Sequence, residues 1–113
     1  MRHSLIVSAN AKMIAFLRER YLGDDWEITD DPDRAIEVLA KEPFDRLFLD
    51  HWLDKEPRNG RDVSLWLGAH KDVNPTLRVI AMTSDRKKGQ QMVAECGRDA
   101  HYIPADLIMA LGA

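Results

Sequence analysis

Apolar residues along the chain follow two spacings that alternate from one end of the sequence to the other. Short continuous runs of β-branched and aliphatic residues are typical of buried strands. Between these runs, apolar positions three or four residues apart indicate amphipathic helices. We predict five strands, each followed by a helix, and the strands cover residues 5–7, 26–29, 47–49, 77–83 and 101–103.

Residues that favour helix ends bracket several of the predicted helices. Asp31 and the proline after it predict a helix start, because Asp accepts bonds from free backbone N–H groups and Pro suits the first helical position. Ser84 or Asp85 is expected to cap the fourth helix in the same way. Gly23 and Gly97 predict helix ends, since glycine adopts the left-handed conformation that closes many helices.

The repeated order of strand and helix predicts an α/β fold, with one domain over residues 1–113. The expected architecture is a flavodoxin-like, doubly wound, five-stranded parallel sheet with strand order 2-1-3-4-5. In that order, functional groups gather at the carboxyl ends of strands 1, 3 and 4. The sequence places Ser8, Asp50 and Thr83 at those three ends.

Composition narrows the class of protein. The chain has 113 residues, 45% hydrophobic and 31% charged, which is ordinary for one folded domain. A net charge of -3 argues against general nucleic-acid binding. With Cys96 alone no internal disulfide forms, which favours a cytoplasmic location. We expect no signal peptide and no membrane span, because every apolar run is too short.

Asp50 and His51 are the residues with the clearest catalytic potential. A carboxylate directly after a buried strand serves as a nucleophile, a metal ligand or a helix cap. His51 stands beside it, whereas His70 lies on a helical stripe and is expected to pack at the edge of the core. Adjacent strand residues point to opposite faces, so Asp50 and His51 converge only if the strand has ended.

Hydroxyl and basic residues near the same edge suggest an anion site. Thr83 and Ser84 either hold an anion at a helix N-terminus or act as a plain helix cap. Basic residues in the loops after strands 3 and 4 form either a basic rim around Asp50 or ordinary solvated charge. These residues are Arg58, Arg61, Arg86, Lys87 and Lys88.

The chain resembles response-regulator receivers in three places. Asp50 follows the apolar run 47–49, Thr83 follows the run 79–82, and residues 101–104 form the last strand and the proline after it. The resemblance implies that Asp50 accepts phosphate and Thr83 binds it. Receivers also hold magnesium with an acidic pair after strand 1 and neutralise phosphate with a lysine on strand 5. In this chain, residues 8–10 stand where receivers have the acidic pair, and Ala105 stands where they have the lysine. Any magnesium at Asp50 is therefore expected to bind weakly.

A second resemblance is closer in detail. The chain is similar to the cyclic-phosphate processing receiver family at residues 49–53, which read Leu-Asp-His-Trp-Leu, and at a set of later positions. These are Gly60, Asp62, 66–67, 82–85 and Met92. That family is inferred to act on cyclic phosphate ends of nucleic acids. Its usual patterns are Leu-Asp-His-Asp-Leu and His-Ser-x-Asn, and this chain departs from them at Trp52, Met82 and Asp85. A degenerate member kept for binding explains these departures better than an active enzyme.

Three functions remain open from the sequence. The first is a stand-alone pseudo-receiver, monomeric or weakly dimeric, that binds or regulates a protein partner. Trp52 suggests a contact surface. A second surface is the face that receivers usually present with their fourth helix, fifth strand and fifth helix. Here that face includes Gln90, Gln91, Val93, Tyr102, Leu107 and Ile108.

The other two functions use chemistry at Asp50. One is an enzyme for phosphate esters, with nucleic-acid or cyclic-phosphate ligands, in which Asp50 and His51 are catalytic. Thr83, Ser84, Arg86 and Lys87 would then hold the phosphate. The last is a phosphoacceptor receiver that uses Asp50 as the acceptor.

Overall fold

Residues 2–111, which a computed structural model describes, form five strands and five helices in strict alternation. Among these helices none is long and apolar enough to cross a membrane. In chain order the elements are β1 (His3–Val7), α1 (Ala11–Arg20), β2 (Asp25–Thr29), α2 (Pro32–Lys41), β3 (Arg46–Leu49), α3 (Gly60–Ala69), β4 (Arg78–Ala81), α4 (Arg86–Cys96), β5 (Ala100–Tyr102) and α5 (Ala105–Leu111).

The strands form one parallel sheet in the order β2-β1-β3-β4-β5, so the predicted flavodoxin-like fold is confirmed. The register pairs Val7 with Leu49 and Leu49 with Ala81. The three central strands therefore end at the same level. The residues that follow them meet at one edge, which we name the carboxyl edge.

Two apolar layers cover the sheet. Because strand residues alternate between faces, Leu5, Val7 and Leu49 pack toward α2, α3 and α4, whereas Ile6 and Phe48 pack toward α1 and α5. All five side chains are almost completely buried. This two-sided burial explains the continuous apolar runs that predicted the strands.

The predicted helix caps are largely confirmed. Asp31 accepts a hydrogen bond from the N–H of Asp33 at the start of α2, and Asp85 caps α4. Gly97 ends α4 with a left-handed φ of 61°. The prediction for Gly23 is wrong, because α1 ends earlier, at Arg20 with Tyr21 as its cap.

Two further differences concern element ends. Strand β4 is shorter than the predicted range 77–83, because Thr83 has left the strand and its hydroxyl accepts a hydrogen bond from the N–H of Asp85. His70 is exposed and not at the core edge. It ends α3, and its ring stacks on Trp66 at a centroid distance of 4.5 Å.

Half-buried polar side chains connect the loops at the opposite, amino edge of the sheet. The Arg98 guanidinium donates four hydrogen bonds of 2.7–3.1 Å to main-chain oxygens of residues 67–74. The Asn74 side chain accepts from the N–H of Phe44 and donates to two carbonyls at the end of α2. Several of these bonds satisfy carbonyl groups at the C-terminal ends of α2 and α3, which helices leave unpaired, and the others hold the loop that follows α3.

A nearly buried ion pair lies at the same edge. Arg46, the first residue of β3, pairs with Asp24, and both side chains are about one-tenth exposed. The Ser4 hydroxyl donates to the same Asp24 carboxylate at 2.8 Å. The Arg46 guanidinium also lies over the Tyr21 ring at 4.2 Å from its centroid. The amino edge therefore uses its charged groups to hold the fold together.

Candidate functional site

The predicted site residues are brought together at the carboxyl edge. Asp50 follows β3 directly, and its N–H donates to the Val7 carbonyl at 2.9 Å. The N–H of Met82 donates to the Leu49 carbonyl at 3.0 Å. These bonds continue the sheet by one residue, so Ser8, Asp50 and Met82 lie side by side, whereas the sequence placed Thr83 in the position that Met82 occupies.

The Asp50 carboxylate is held by local hydrogen bonds. Its Oδ1 accepts from the His51 N–H at 2.8 Å, and its Oδ2 accepts from the Ser8 hydroxyl at 3.5 Å. The Ser8 oxygen in turn accepts from the Asn10 N–H at 3.0 Å. Burial raises the pKa of the Asp50 carboxyl, and hydrogen bonds from His51, Ser8 and the Trp52 main chain partly oppose that rise.

The residues around Asp50 do not fit a magnesium ion. Magnesium requires an octahedral oxygen shell anchored by carboxylates. Ser8 is buried and already engaged with Asp50, and the Asn10 side chain caps α1 by accepting from the Met13 N–H at 3.1 Å. Within residues 2–111, no group of three or more His, Cys, Asp or Glu side chains could hold a metal ion.

His51 is buried beside Asp50 without being paired to it. Strand β3 ends at Leu49, so strand alternation no longer separates the two residues. The His51 side chain is only 3% exposed, and its Nδ1 has no hydrogen-bond partner in the described part of the chain. Burial lowers the pKa of His51, and the charge of Lys88 lowers it further. The two side chains share no hydrogen bond in the described structure, so they do not form an aligned acid–base pair.

Gly60 was part of the resemblance to the cyclic-phosphate processing receiver family, but the sequence indicated no role for it at the site. A Cβ atom at this position would lie 1.8 Å from the main-chain oxygen of Asp50, so only glycine allows α3 to approach so closely. The Gly60 N–H donates to the His51 carbonyl at 2.8 Å. Asn59 and Asp62 form a capping box that starts α3 here, and this Asn-x-x-Asp spacing was the available signal.

The candidate phosphate ligands differ in accessibility. Thr83 is buried, and its hydroxyl accepts from the Asp85 N–H at 3.3 Å, which makes Thr83 part of the turn into α4. Ser84, Arg86 and Lys87 are exposed. The plain capping role weighed for Thr83 and Ser84 is filled by Asp85, which accepts from the Lys88 N–H at 3.2 Å.

The expected basic rim is only partly formed. Arg58 pairs with Asp33 and Asp62, and the hydrogen bond to Asp33 raises its pKa. Arg61 pairs with Glu95, which likewise raises the pKa of Arg61. The described residues contain no ion pair to the three cations in the first turn of α4. We name these residues, Arg86, Lys87 and Lys88, the basic turn.

Trp52 is held at the surface between two buried neighbours. His51 is 3% exposed and Leu53 is fully buried, whereas Trp52 is 49% exposed. The His51 and Trp52 rings meet in a T-shaped contact with centroids 4.4 Å apart. The ammonium group of Lys88 lies 5.7 Å from the centroid of the Trp52 ring. An aromatic side chain and the basic turn thus adjoin each other.

The predicted face of α4, β5 and α5 is less open than the sequence suggested. Tyr102 is half-buried, and its ring packs so closely on Gly89 that a Cβ there would lie 2.3 Å from it. Ile108 packs against the core on the α1 side. Gln90 and Leu107 are exposed.

Comparison with known families gives a match over most of the chain. The model of the family described as the cyclic-phosphate processing Receiver domain matches residues 5–98. A comparison with curated protein sequences found no match.

Solved receiver structures share this fold at low sequence identity. The receiver domain of the sensor histidine kinase PA1611 from Pseudomonas aeruginosa PAO1, with magnesium in its active site cleft, is 17% identical, with a TM-score of 0.73 over 97% of this chain and 90% of that one. A CheY-like receiver from Methanospirillum hungatei JF-1 is 19% identical, with a TM-score of 0.71 over 98% and 90%. The Mn²⁺-bound response regulator Rcp1 is 15% identical, with a TM-score of 0.73 over 99% and 90%.

Proposed function

Because this chain belongs to the cyclic-phosphate processing receiver domain family, we propose that it is a receiver-like module that binds a protein partner without phosphorylation or catalysis at Asp50. The observation that carries the proposal is the surroundings of the Asp50 carboxylate. It is hydrogen-bonded to Ser8 and to the His51 N–H, and within the described residues no group of three or more His, Cys, Asp or Glu side chains could hold a metal ion.

A phosphoryl group on Asp50 would lack the charges that stabilise it. Phosphorylation adds nearly two negative charges and three acceptor oxygens, which need cations or hydrogen-bond donors nearby. Residues 100–113 contain no lysine, and Ala105 begins α5. The nearby Thr83 hydroxyl is buried and belongs to the turn into α4. These features favour a module whose binding conformation does not depend on phosphate.

Catalysis on a cyclic phosphate is the second candidate, and family membership is the observation that favours it. Against it, His51 is buried and is not hydrogen-bonded to the Asp50 side chain in the described structure. Met82 is also fully buried in the core, in the place where the family pattern has a histidine that can exchange protons.

Phosphorylation and catalysis are each tested with the wild type and Asp50→Asn. The chain is incubated with acetyl phosphate and magnesium and its intact mass is measured. Separately, hydrolysis of nucleoside cyclic monophosphates is followed by chromatography. We expect no phosphate incorporation and no hydrolysis above the Asp50→Asn background. Incorporation lost in the variant would establish a phosphoacceptor, and hydrolysis lost in the variant would establish the enzyme.

Partner binding is tested with the same pair of proteins. We expect immobilised wild type and Asp50→Asn to retain the same protein partner with equal affinity, because the carboxylate takes no part in the contact. Retention by the wild type only, or by neither protein, would contradict the proposal.

A further inference from the structure

We propose that Trp52 and the basic turn form a docking surface for an acidic segment of a partner protein that carries an apolar or aromatic anchor residue. This inference rests on the proposed function, since it names the chemistry of the partner and the place where it binds. It places the contact at the carboxyl edge, beside Asp50, and not on the face of α4, β5 and α5 that the sequence suggested.

Trp52 is pre-positioned for such a contact. Its neighbours His51 and Leu53 are both buried, so the main chain on each side of the tryptophan is fixed by packing. The T-shaped contact with His51 orients the indole ring, yet about half of its surface stays open to solvent. A rigid aromatic side chain loses little conformational entropy on binding, and tryptophan is among the residues that dominate binding energy at interfaces.

No ion pair within the described residues gives the basic turn a role in stabilising the fold, and the Lys88 ammonium lies 5.7 Å from the centroid of the Trp52 ring, within the proposed surface. Helix N-termini carry partial positive charge, so three consecutive cations in the first turn of α4 are placed against the helix dipole. The described residues offer them no ion pair, whereas Arg61 on the neighbouring helix is paired with Glu95. Residues that oppose the local stability of a helix, such as cations at its N-terminus, are expected mainly where function requires them. The cations are therefore available to a ligand.

The charge pattern favours an acidic protein segment over a nucleic acid. The chain as a whole carries a net charge of -3, so a long polyanion is repelled beyond the short reach of the basic turn. Three cations neutralise too few phosphates for firm nucleic-acid binding, which relies on many such contacts. A short acidic segment matches the size of the patch, and an apolar anchor on it matches the open face of Trp52.

The test selects ligands without presuming their sequence. A random peptide library displayed on phage is selected on the full chain, and enriched peptides are synthesised and titrated by isothermal calorimetry, which does not depend on Trp52. We expect enriched peptides to combine Asp or Glu with aromatic or large aliphatic residues. We expect the affinity to fall at least about tenfold in Lys87→Glu/Lys88→Glu and in Trp52→Ala, and less in Trp52→Phe.

The matched control is Lys71→Glu. It is matched to Lys87→Glu made singly, because both replace one lysine by glutamate, but it lies on an exposed side chain at the amino edge, past the end of α3, and should leave the affinity unchanged. Urea unfolding of each variant checks that the fold is intact, so a lost affinity is not a lost structure.

Three outcomes would overturn the docking surface. They are the absence of any enriched peptide, enrichment of neutral or basic peptides, and acidic peptides whose affinity is the same in the charge-reversed variants. Single-stranded oligothymidylate is titrated in parallel, and its binding in place of acidic peptides would make the surface a nucleic-acid site. Equal affinity in the charge-reversed variants would contradict the docking surface but not the proposed function. Phosphate incorporation at Asp50 would contradict the proposed function, irrespective of the peptide results.

Discussion

The arginines at the amino edge of the sheet and the basic turn at its carboxyl edge use their charges in different ways. At the amino edge, Arg98 has four main-chain acceptors and Arg46 pairs with a nearly buried carboxylate. At the carboxyl edge, Arg58 and Arg61 are also paired, but the basic turn has no ion pair within the described residues. The paired charges stabilise the fold, whereas the cations of the basic turn are available to a ligand.

This difference separates stability from binding. Removing a charged side chain that is buried and paired leaves its partners unsatisfied, which destabilises a protein strongly. Removing an exposed, unpaired charge has little effect on stability and acts mainly on ligands. Substitutions of Arg98 and Arg46 at the amino edge should therefore change the free energy of unfolding, and substitutions in the basic turn should mainly change binding.

The largest effect is expected for Arg98→Met. The substitution keeps much of the aliphatic volume but removes the donors to four carbonyl oxygens of residues 67–74. We expect the free energy of unfolding to fall by about 3 kcal/mol in urea titrations. Arg86→Met is the matched control at the other edge and should change it by less than about 0.5 kcal/mol. Equal losses of stability in Arg98→Met and Arg86→Met would contradict the difference in role between Arg98 and the basic turn.

Arg46→Met should come next, with a loss of about 2 kcal/mol in the same assay, because Asp24 would keep a nearly buried charge without its partner. The double variant Arg46→Met/Asp24→Asn should recover part of the loss, since that charge is then removed. A double variant that is less stable than the single one would mean that Asp24 is held by other groups.

Lys87→Glu is expected to raise the free energy of unfolding slightly, in contrast to the two arginine substitutions, which lower it. An acidic residue in the first turn interacts favourably with the helix dipole, so the variant should be more stable by about 0.5 kcal/mol. The same change should weaken binding of acidic peptides. A gain in stability together with weaker peptide binding would show that Lys87 serves binding and not the fold. Destabilisation by Lys87→Glu would instead show that Lys87 stabilises the fold.

The smallest effect is expected for Asp50→Asn, and it depends on pH. Burial raises the pKa of Asp50, so the folded state favours the protonated carboxyl. The stability that this group contributes is present below its unfolded pKa and is lost as the pH rises through the folded pKa. Asp50→Asn should therefore be more stable than the wild type at neutral pH, by about 0.5 kcal/mol given partial solvation. The difference should shrink below about pH 4. A less stable variant at neutral pH would contradict this.

Much of the fold was predictable because each signal was local. Apolar runs such as 47–49 marked strands buried on both faces, and Asp31 and Gly97 marked helix ends through their own backbone preferences. Gly23 misled because glycine near the end of an apolar stripe favours a helix end without requiring one. In the structure, Tyr21 caps α1 and its ring lies 5.8 Å from that of Phe48.

The site was only partly predictable because its properties depend on residues far apart in sequence. The position of Asp50 at the end of β3 followed from strand order. The pairing of Arg61 with Glu95 joins residues 34 positions apart, and it removed a cation from the expected rim. The close approach of Gly60 to the Asp50 main chain depends on how α3 packs, which no local pattern encodes.

The most direct test of the proposed function is a titration of the wild type and Asp50→Asn with magnesium and beryllofluoride, a phosphoryl mimic, followed by tryptophan emission. Trp52 lies two residues from Asp50, so occupancy of the crevice should alter its emission. We predict no saturable response at millimolar magnesium and identical traces for the two proteins. A saturable response in the wild type that disappears in Asp50→Asn would contradict the account, because Asp50 would then bind the metal and the phosphoryl mimic.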